Sequence, residues 1–397
     1  MTRITADEAA HRLGVKRQTL YAYVSRGVIA SRRSTDGRTS TFDRSEVDEL
    51  ARRGRPRRSS SDPVIDVTVR SSLTRIERGR LTFRGHDAVG LSSTAAFEQV
   101  AALVWTGTLP SFHAWSRPSE QTAMEGAMLD RLRLAAAMAA IDAAADDRQP
   151  DAAAMTRACR SIVGAMVAAV GPPLHDRTPR LQLGGDAPHS VRDSTAARLA
   201  VRLSPSRPGP ELVAAINAAL VLLTDHELAV STLAARVAAS ARADAFGVVG
   251  AGLGPASGGL HGTASRAARL VLDHAEHSGA RAATRHGIRT RSLPGFGHFL
   301  YPDGDPRAIA LMARIRALPL APRRLRTIDD VLAVVSDEVG VAPNVDFALA
   351  ALGHVVGMPT DAGEALFVIP RCAGWTAHAI EELDERPVRY RTRAVPR

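Results

Sequence analysis

Alanine- and leucine-rich segments with helical spacing run through most of this 397-residue chain, and they limit the folds open to it. In STAAFEQVAALVWTGTLP, residues 93–110, the apolar residues Phe97, Val100 and Val104 recur three and four positions apart, and Gly107 follows them. This spacing places apolar side chains on one face of a helix, and glycine is a common residue just past a helix end. Because alanine and leucine also favour helix intrinsically, we predict a mainly α-helical protein.

The same spacing predicts further helices along the chain. Their expected ranges are 124–148, 153–170, 211–223, 228–250, 262–278, 306–318, 328–338, 345–357 and 364–383. Residues 171–210 and 279–305 are rich in Pro, Gly, Arg and Asp, so we expect loops or domain junctions there. A chain of this length is expected to form two or three domains.

The composition is that of a folded globular protein, with 45% hydrophobic and 23% charged residues. Cys159 and Cys372, the two cysteines, are far apart in the sequence, so we expect neither a disulfide framework nor a metal site. No signal peptide is visible, and no apolar run approaches the roughly 18 residues of a membrane helix. We therefore predict a cytoplasmic protein that does not bind membranes.

Positive charge is concentrated at the N-terminus. Residues 1–58 hold 14 Lys/Arg and 7 Asp/Glu, which is +7 of the net +10 and leaves +3 for the remaining chain. RRGRPRRSSSDP, residues 52–63, has the composition of a mobile basic linker. A basic end on a nearly neutral body suggests a nucleic-acid-binding module.

The segment before this linker has a helix-turn-helix pattern. TADEAAHRLGVKRQTLYAYVSRGVI, residues 5–29, predicts two short helices with a break at Gly14. Residues 30–50 predict a β-hairpin around Asp36–Gly37 and a third helix. The unit resembles the DNA-binding domains of the MerR and excisionase group. A docking module with a solvated basic face is the alternative.

Side chains near the start of the second helix and on the hairpin are the expected DNA contacts, because helix N-termini and basic wings approach phosphates and base edges. They are Lys16, Arg17, Thr19, Tyr21, Arg32, Arg33 and Arg38.

Four ionisable residues of the body lie at turns or helix starts. His226 is flanked by acidic residues, and His261 follows a glycine-rich turn where a long helix begins. His298 lies within PGFGHFLYPDGDPR, residues 294–307, and Asp346 lies in the first turn of another expected helix. A helix N-terminus favours the neutral form of an imidazole. Taken singly, each residue also has a structural explanation such as helix capping.

In this order the motifs resemble those of the citrate synthase family, over about residues 70–397. They are DHE (225–227), HG (261–262), GFGH…DPR (295–307), PNVDF (343–347), IPRCAGWTAHAIEEL (369–383) and DERPVRYR (384–391). The resemblance implies a two-domain helical body that condenses an acyl-CoA, acetyl-CoA or propionyl-CoA, with oxaloacetate. The products would be citrate or 2-methylcitrate and CoA, with no permanently bound cofactor.

The resemblance also implies roles for these residues. Asp346 would be the base that removes a proton beside the thioester. His261 would stabilise the enol by a hydrogen bond to the thioester oxygen. His298 would polarise the ketone and protonate the new alkoxide.

Oxaloacetate is a dianion, and arginine binds carboxylates with two parallel hydrogen bonds. By the resemblance Arg307 and Arg371 bind its carboxylates, and His226 makes a further contact. Arg386 would reach into the active site of the neighbouring subunit, so the resemblance implies a homodimer.

The chain departs from the family pattern beside the loop histidine. The family has basic residues at the positions of Phe299 and Pro302, where they contact CoA phosphates. Neither residue here can form an ion pair. This departure leaves two hypotheses. The first is a synthase with an appended DNA-binding domain, and the second is a transcription regulator whose body senses oxaloacetate, citrate or an acyl-CoA.

We expect four parts in the chain. The helix-turn-helix domain is placed at 1–52 and the linker at 53–69. The large domain is placed at 70–261 together with 351–397, and the small domain at 262–350.

Overall fold

The computed structural model of the chain covers the N-terminal unit and most of the body. The described residues are 3–15, 17–25, 29–33, 40–52, 68–115, 124–176, 179–184, 189–191, 193–259, 262–290, 292–319 and 322–391.

The N-terminal unit is a helix-turn-helix with a small sheet. Its elements are β1 (Arg3–Thr5), α1 (Ala6–Leu13), α2 (Arg17–Ser25), β2 (Ser31–Arg33), β3 (Ser40–Asp43) and α3 (Arg44–Arg52). Thr5 caps α1, and Gly14 ends it with a φ of 61°. The strands pair antiparallel in the order β1-β3-β2, so the predicted hairpin gains a third strand from the N-terminus.

This unit has its own hydrophobic core. Ile4, Leu20, Phe42 and Val47 are buried together there, separate from the core of the body. A separate core is what an independently folding module requires. The helix-turn-helix prediction is therefore confirmed at the level of the fold.

The body is mainly α-helical, as predicted. Its helices are α4 (Ala88–Thr94), α5 (Phe97–Thr106), α6 (Met128–Ile141), α7 (Ala152–Ala169), α8 (Thr195–Leu203), α9 (Pro210–Leu222), α10 (Val230–Ser240), α11 (Ala245–Ala256), α12 (Ala264–Ser278), α13 (Ala280–Thr290), α14 (Pro306–Arg316), α15 (Pro322–Glu338), α16 (Val345–Val356) and α17 (Ala362–Leu383). Its strands are β4 (Thr74–Glu77), β5 (Arg80–Phe83), β6 (His86–Asp87), β7 (Leu181–Leu183) and β8 (His189–Val191).

Three of the predictions for the body were wrong in detail. The helix expected at 228–250 is two helices, α10 and α11, because Asp244 caps a new helix by accepting a hydrogen bond from Gly247. The regions 171–210 and 279–305 were expected to be loops or domain junctions. The first contains the antiparallel strand pair β7–β8 and the helix α8, and the second contains the helix α13. These regions contain many arginine, proline and glycine residues, so the helical spacing of the few apolar residues in α8 and α13 was not recognised. The division of the body at 261–262 and 350–351 stays a prediction.

Helix α17 runs through the core of the body and packs against α5, α7, α9, α10 and α11. Trp375 is fully buried on α17, and a side chain at Gly252 of α11 would clash with its ring. Gly374 likewise allows the Thr224 carbonyl to approach the α17 backbone closely. The turn that carries His226 is therefore set directly against α17. Among the described residues, no helix is both long and apolar enough to cross a membrane.

Candidate active site

The loop 294–307 is joined to the start of α16 by backbone hydrogen bonds. The Gly297 amide donates to Ala342 O at 2.8 Å, and the Asn344 amide donates to Gly295 O at 2.9 Å. The Asn344 side chain also donates to Gly297 O and accepts from the Asp346 amide as the cap of α16. One small ladder thus sets the positions of the His298 loop and of Asp346.

Gly295 is required for this close approach. Its φ is +84°, and a Cβ atom there would lie 2.9 Å from the Phe347 Cβ and 3.0 Å from the Ala268 Cβ. Any other residue would be strained in its backbone and would push α16 away from the loop.

His298 is held in its neutral form. The Leu300 amide donates to its Nδ1 at 3.2 Å, so the ring proton is on Nε2. Burial and the nearby Arg307 charge lower the pKa of His298 to about 4. At neutral pH this imidazole can donate a hydrogen bond from Nε2 without carrying charge.

His226 and Tyr301 pack around His298. The His226 Nε2 lies 3.0 Å from the Tyr301 hydroxyl, and the His226 and His298 ring centroids are 5.2 Å apart. Glu227, the next residue, has a φ of 52°, which is uncommon for a residue other than glycine. The sequence motifs that contain His226 and His298 therefore meet in one place.

Arg307 is buried and paired with Asp305. Its Nε and Nη2 lie 2.9 Å and 2.8 Å from the two Asp305 oxygens. Asp305 also caps α14 and accepts from the Val345 amide at 3.0 Å. Although burial opposes ionisation, the Arg307 charge holds the pKa of Asp305 below its usual value. A carboxylate of the chain itself thus occupies the fork of Arg307.

Arg371 on α17 differs from Arg307 because two of its donors have no partner. The side chain is buried, and its Nε and Nη1 form no hydrogen bond with the described residues. Burial lowers the pKa of Arg371 to about 10. A buried guanidinium without a full set of acceptors is costly, so this arrangement favours binding of an anion.

Asp346 lies near both arginines. The residue is partly exposed, but its Oδ1 is buried and has no hydrogen-bond partner among the described residues. Burial raises the pKa of Asp346 to about 6, while the charges of Arg307 and Arg371 act in the opposite direction. A carboxylate with this pKa is a stronger base than an exposed aspartate.

The structure thus brings His226, His298, Arg307, Arg371 and Asp346 into one electrostatically coupled cluster. His261 lies outside the described residues. Arg386 follows α17 in an exposed turn and is not part of this cluster.

Two members of the site were not anticipated. Asp305 has a recognisable signal, because an aspartate before a proline commonly caps a helix. Tyr301 has none, since its hydrogen bond to His226 joins residues 75 positions apart.

The two residues that depart from the family pattern lie at the surface of the loop. Phe299 is 71% exposed, and its ring stacks on His298 with centroids 5.3 Å apart. Pro302 is also exposed. The outer side of the site therefore presents an aromatic ring where the family has a cation.

The expected DNA contacts are only partly visible. Lys16, Arg38 and the side chain of Thr19 lie outside the described residues, while Arg17, Arg32 and Arg33 are exposed. Tyr21 is half-buried, with its ring edge against Phe42.

Two of these arginines lie beside the body. The Asp303 carboxylate attracts Arg17, which also pairs with Asp7 at 3.3 Å. Arg33 lies against Gly340, on the segment that leads to Asp346. Arg17 and Arg33 therefore lie near the loop 294–307 and the segment before α16, respectively.

Known families match both parts of the chain. Residues 65–391 match the family described as citrate synthase, C-terminal domain, and residues 4–55 match a helix-turn-helix domain. The chain is 29% identical over 352 residues to the citrate synthase of Haloferax volcanii, covering 80% of this chain and 90% of that protein. It is 28% identical over 343 residues to the 2-methylcitrate synthase of Mycobacterium tuberculosis H37Rv, covering 80% and 85%.

Solved structures show the same fold. Citrate synthase of Thermoplasma acidophilum, in a ternary complex with carboxymethyl coenzyme A and oxaloacetate, aligns with a TM-score of 0.66 and 24% identity, covering 83% of this chain and 94% of that one. Citrate synthase of Thermotoga maritima aligns with a TM-score of 0.64 and 22% identity, covering 82% and 92%. The family match covers most of the described body, including the motifs that contain His226 and His298. This chain therefore belongs to the citrate synthase family and carries a helix-turn-helix domain before the synthase-like body.

Proposed function

We propose that the body condenses acetyl-CoA or propionyl-CoA with oxaloacetate and releases CoA. The observation that carries this proposal is the cluster of a neutral imidazole, a basic carboxylate and a buried arginine without full pairing. These are His298, Asp346 and Arg371. The reaction needs a hydrogen-bond donor, a base and an anion site, and His298, Asp346 and Arg371 would supply them in that order.

Asp346 is the base in this proposal. The carbon next to a thioester is a weak acid, so proton removal requires a base with a raised pKa and a stabilised enol. Burial raises the pKa of Asp346 to about 6. His261 lies outside the described residues, and its proposed role in stabilising the enol rests on the family resemblance.

His298 acts on the other substrate. Its Nε2–H donates to the ketone oxygen of oxaloacetate while the enol carbon forms the new carbon–carbon bond. The alkoxide that results takes a proton from the same nitrogen, and the proton that Asp346 removed then restores the neutral imidazole. Water then cleaves the thioester of the citryl-CoA or methylcitryl-CoA, which gives the free carboxylate and the CoA thiol.

Arg307 and Arg371 bind the two carboxylates of oxaloacetate, and His226 adds a further contact. Each hydrogen bond to a charged group is worth about 1.5–3 kcal/mol. Arg307 is already paired with Asp305, so the substrate shares this guanidinium, whereas it supplies the missing acceptors of Arg371. Arg386 completes the site from the neighbouring subunit of a homodimer.

A CoA-release assay tests this function. Thiol release from either acyl-CoA is expected only when oxaloacetate is present, and Asp346→Asn is expected to abolish it. Asp337→Asn is the matched control, because Asp337 is an exposed aspartate near the end of α15. Absence of thiol release from both acyl donors at millimolar concentrations would rule out the condensation. The ratio of the two rates assigns the acyl preference.

A second candidate function is a DNA-binding regulator that responds to oxaloacetate, citrate or an acyl-CoA. It is favoured by Arg17 and Arg33, which lie beside Asp303 and Gly340 on the active-site loops. It is also favoured by Phe299 and Pro302, which cannot pair with CoA phosphates. A dimer would present two reading helices to a palindromic site.

A gel-shift series with and without each metabolite distinguishes the regulator from the alternative of a protein-docking module. Site-specific binding that weakens steeply with salt and shifts with a metabolite supports the regulator. Salt-insensitive or absent DNA binding supports docking to a protein.

A further inference from the structure

Glu382, at the end of α17, is a buried carboxylate surrounded by three side chains from two parts of the chain. Arg236 of α10 donates to its Oε2 at 3.0 Å, and both are fully buried. Arg389 donates to both Glu382 oxygens at 2.6 Å and 2.9 Å. The Tyr390 hydroxyl lies 3.2 Å from Oε2. One carboxylate thus joins the helix core to the segment 384–391.

The backbone of this segment is held from a second side. The Val388 amide donates to Ser240 O at 2.9 Å, and Arg242 donates to Leu383 O at 2.8 Å and Glu385 O at 3.1 Å. Val388 has a φ of 55°, which is unfavourable for a β-branched residue. Strained backbone of this kind persists only where surrounding contacts hold it in place.

Arg386 lies between these anchors. The carbonyl of Glu385 is fixed on one side and the amide of Val388 on the other, and Pro387 restricts the backbone between them. Arg386 itself is exposed. The segment therefore presents an exposed guanidinium on a backbone with little freedom.

The same network reaches the active site of its own subunit. Arg236 Nη1 lies 2.9 Å from His378 Nδ1 and 3.0 Å from Glu381 Oε2. His378 Nε2 lies 3.2 Å from an oxygen of Asp225, the residue before His226. A continuous series of buried polar contacts thus connects the His226 turn with the segment that carries Arg386.

We propose that Glu382 is a positioning residue, which holds the Arg389–Tyr390 end of this segment so that Arg386 is presented in one fixed orientation to oxaloacetate in the neighbouring subunit. The inference rests on the proposed function, in which Arg386 completes that site. A guanidinium that is positioned before substrate arrives loses less entropy on binding than a free one.

The test uses the full chain and a variant that leaves the core pair intact. Arg389→Met removes the two hydrogen bonds from Arg389 to Glu382 but keeps the Arg236–Glu382 pair, and Arg391→Met removes an exposed charge from the same segment as the control. We expect kcat/KM for oxaloacetate to fall about 10- to 100-fold in Arg389→Met, as misplacement of a binding group does, with the KM for acyl-CoA unchanged. Glu382→Gln is expected to act in the same way, and Asp384→Asn, at an exposed carboxylate of the same segment, is its control.

A double-mutant cycle with Arg386→Ala identifies the route of the effect. If Arg389 acts through Arg386, the double variant is no worse than Arg386→Ala alone. Effects that multiply, or an Arg389→Met variant equal to Arg391→Met, would overturn the positioning role. Oxaloacetate binding is also measured by thermal shift, which needs no turnover. A wild-type protein that binds oxaloacetate without CoA release contradicts the condensation and leaves this test intact.

Discussion

At the scale of single residues, the surroundings of two groups in the candidate site shift their pKa values away from the ordinary ones. Burial raises the pKa of Asp346, and burial with the Arg307 charge lowers that of His298. The protonation states of the proposed base and the proposed neutral donor therefore depend on their surroundings as well as on residue type.

Asp346 leads to a prediction about pH. A base must be ionised, so kcat/KM is expected to fall as the pH drops through about 6. The same shift makes ionisation of Asp346 unfavourable for folding. Asp346→Asn should therefore be more stable than wild type by on the order of 1–3 kcal/mol above pH 6.

This gain has a defined pH dependence. An ordinary aspartate ionises near pH 3.8, so the advantage of asparagine should appear as the pH rises from about 4 and level off above about 6. Thermal unfolding of both proteins between pH 4 and pH 8 measures it. A constant difference across this range would contradict the shift.

Arg371 leads to a prediction with two opposite effects. Arg371→Met removes a buried guanidinium with unpaired donors, so the free protein should be as stable as wild type or more stable. Oxaloacetate affinity should fall by about 10-fold or more, because a charged hydrogen bond is lost. Calorimetric binding and thermal unfolding measure the two effects, with the exposed Arg326→Met as the control. A large loss of stability would mean that Arg371 has a purely structural role.

At the scale of elements, the decisive feature is the ladder between the loop 294–307 and the start of α16. Phe296 forms an antiparallel bridge with Pro343 between the two elements. His298 and Asp346, 48 positions apart, share this one support. Their relative position therefore depends on backbone contacts near Gly295.

Substitutions at two glycines of the loop can distinguish the cost of backbone strain from the cost of a steric clash. Gly295 and Gly297 both have positive φ, +84° and +75°, but only a Cβ at Gly295 would clash with Phe347. Gly297→Ala should cost about 1–2 kcal/mol of stability from the backbone alone. Gly295→Ala should cost more and should also displace Asp346, so its kcat should fall further. Equal effects of the two variants on unfolding and kcat would show that the packing contact is unimportant.

At the scale of the whole molecule, two hydrophobic cores are joined through a basic segment that contains residues 53–67. The core around Leu20 and Phe42 belongs to the N-terminal unit, and the core around α17 belongs to the body. Arg33 lies against Gly340 of the body, and the Asp303 charge acts on Arg17. The body thus has a hydrophobic core of its own, separate from that of the N-terminal unit.

Removal of residues 1–67 is therefore expected to leave CoA release within about 2-fold of the full chain and to abolish DNA binding. In the full chain, Arg32→Ala should weaken duplex binding and reduce its salt dependence by about one counterion, because one phosphate contact is lost. CoA-release rates and salt titrations of anisotropy measure these effects. Loss of CoA release on truncation would show that the N-terminal unit supports the active site.

The sequence by itself determined the helical class of the body, the helix-turn-helix unit and the motifs around His226, His298, Arg307, Asp346 and Arg371. These features depend on local spacing and residue type, and both can be read from the sequence alone. The pairing of Asp305 with Arg307, the incomplete pairing of Arg371 and the contact between Tyr301 and His226 were decided only by the tertiary structure. They depend on burial and on contacts between distant segments, and no local pattern specifies either.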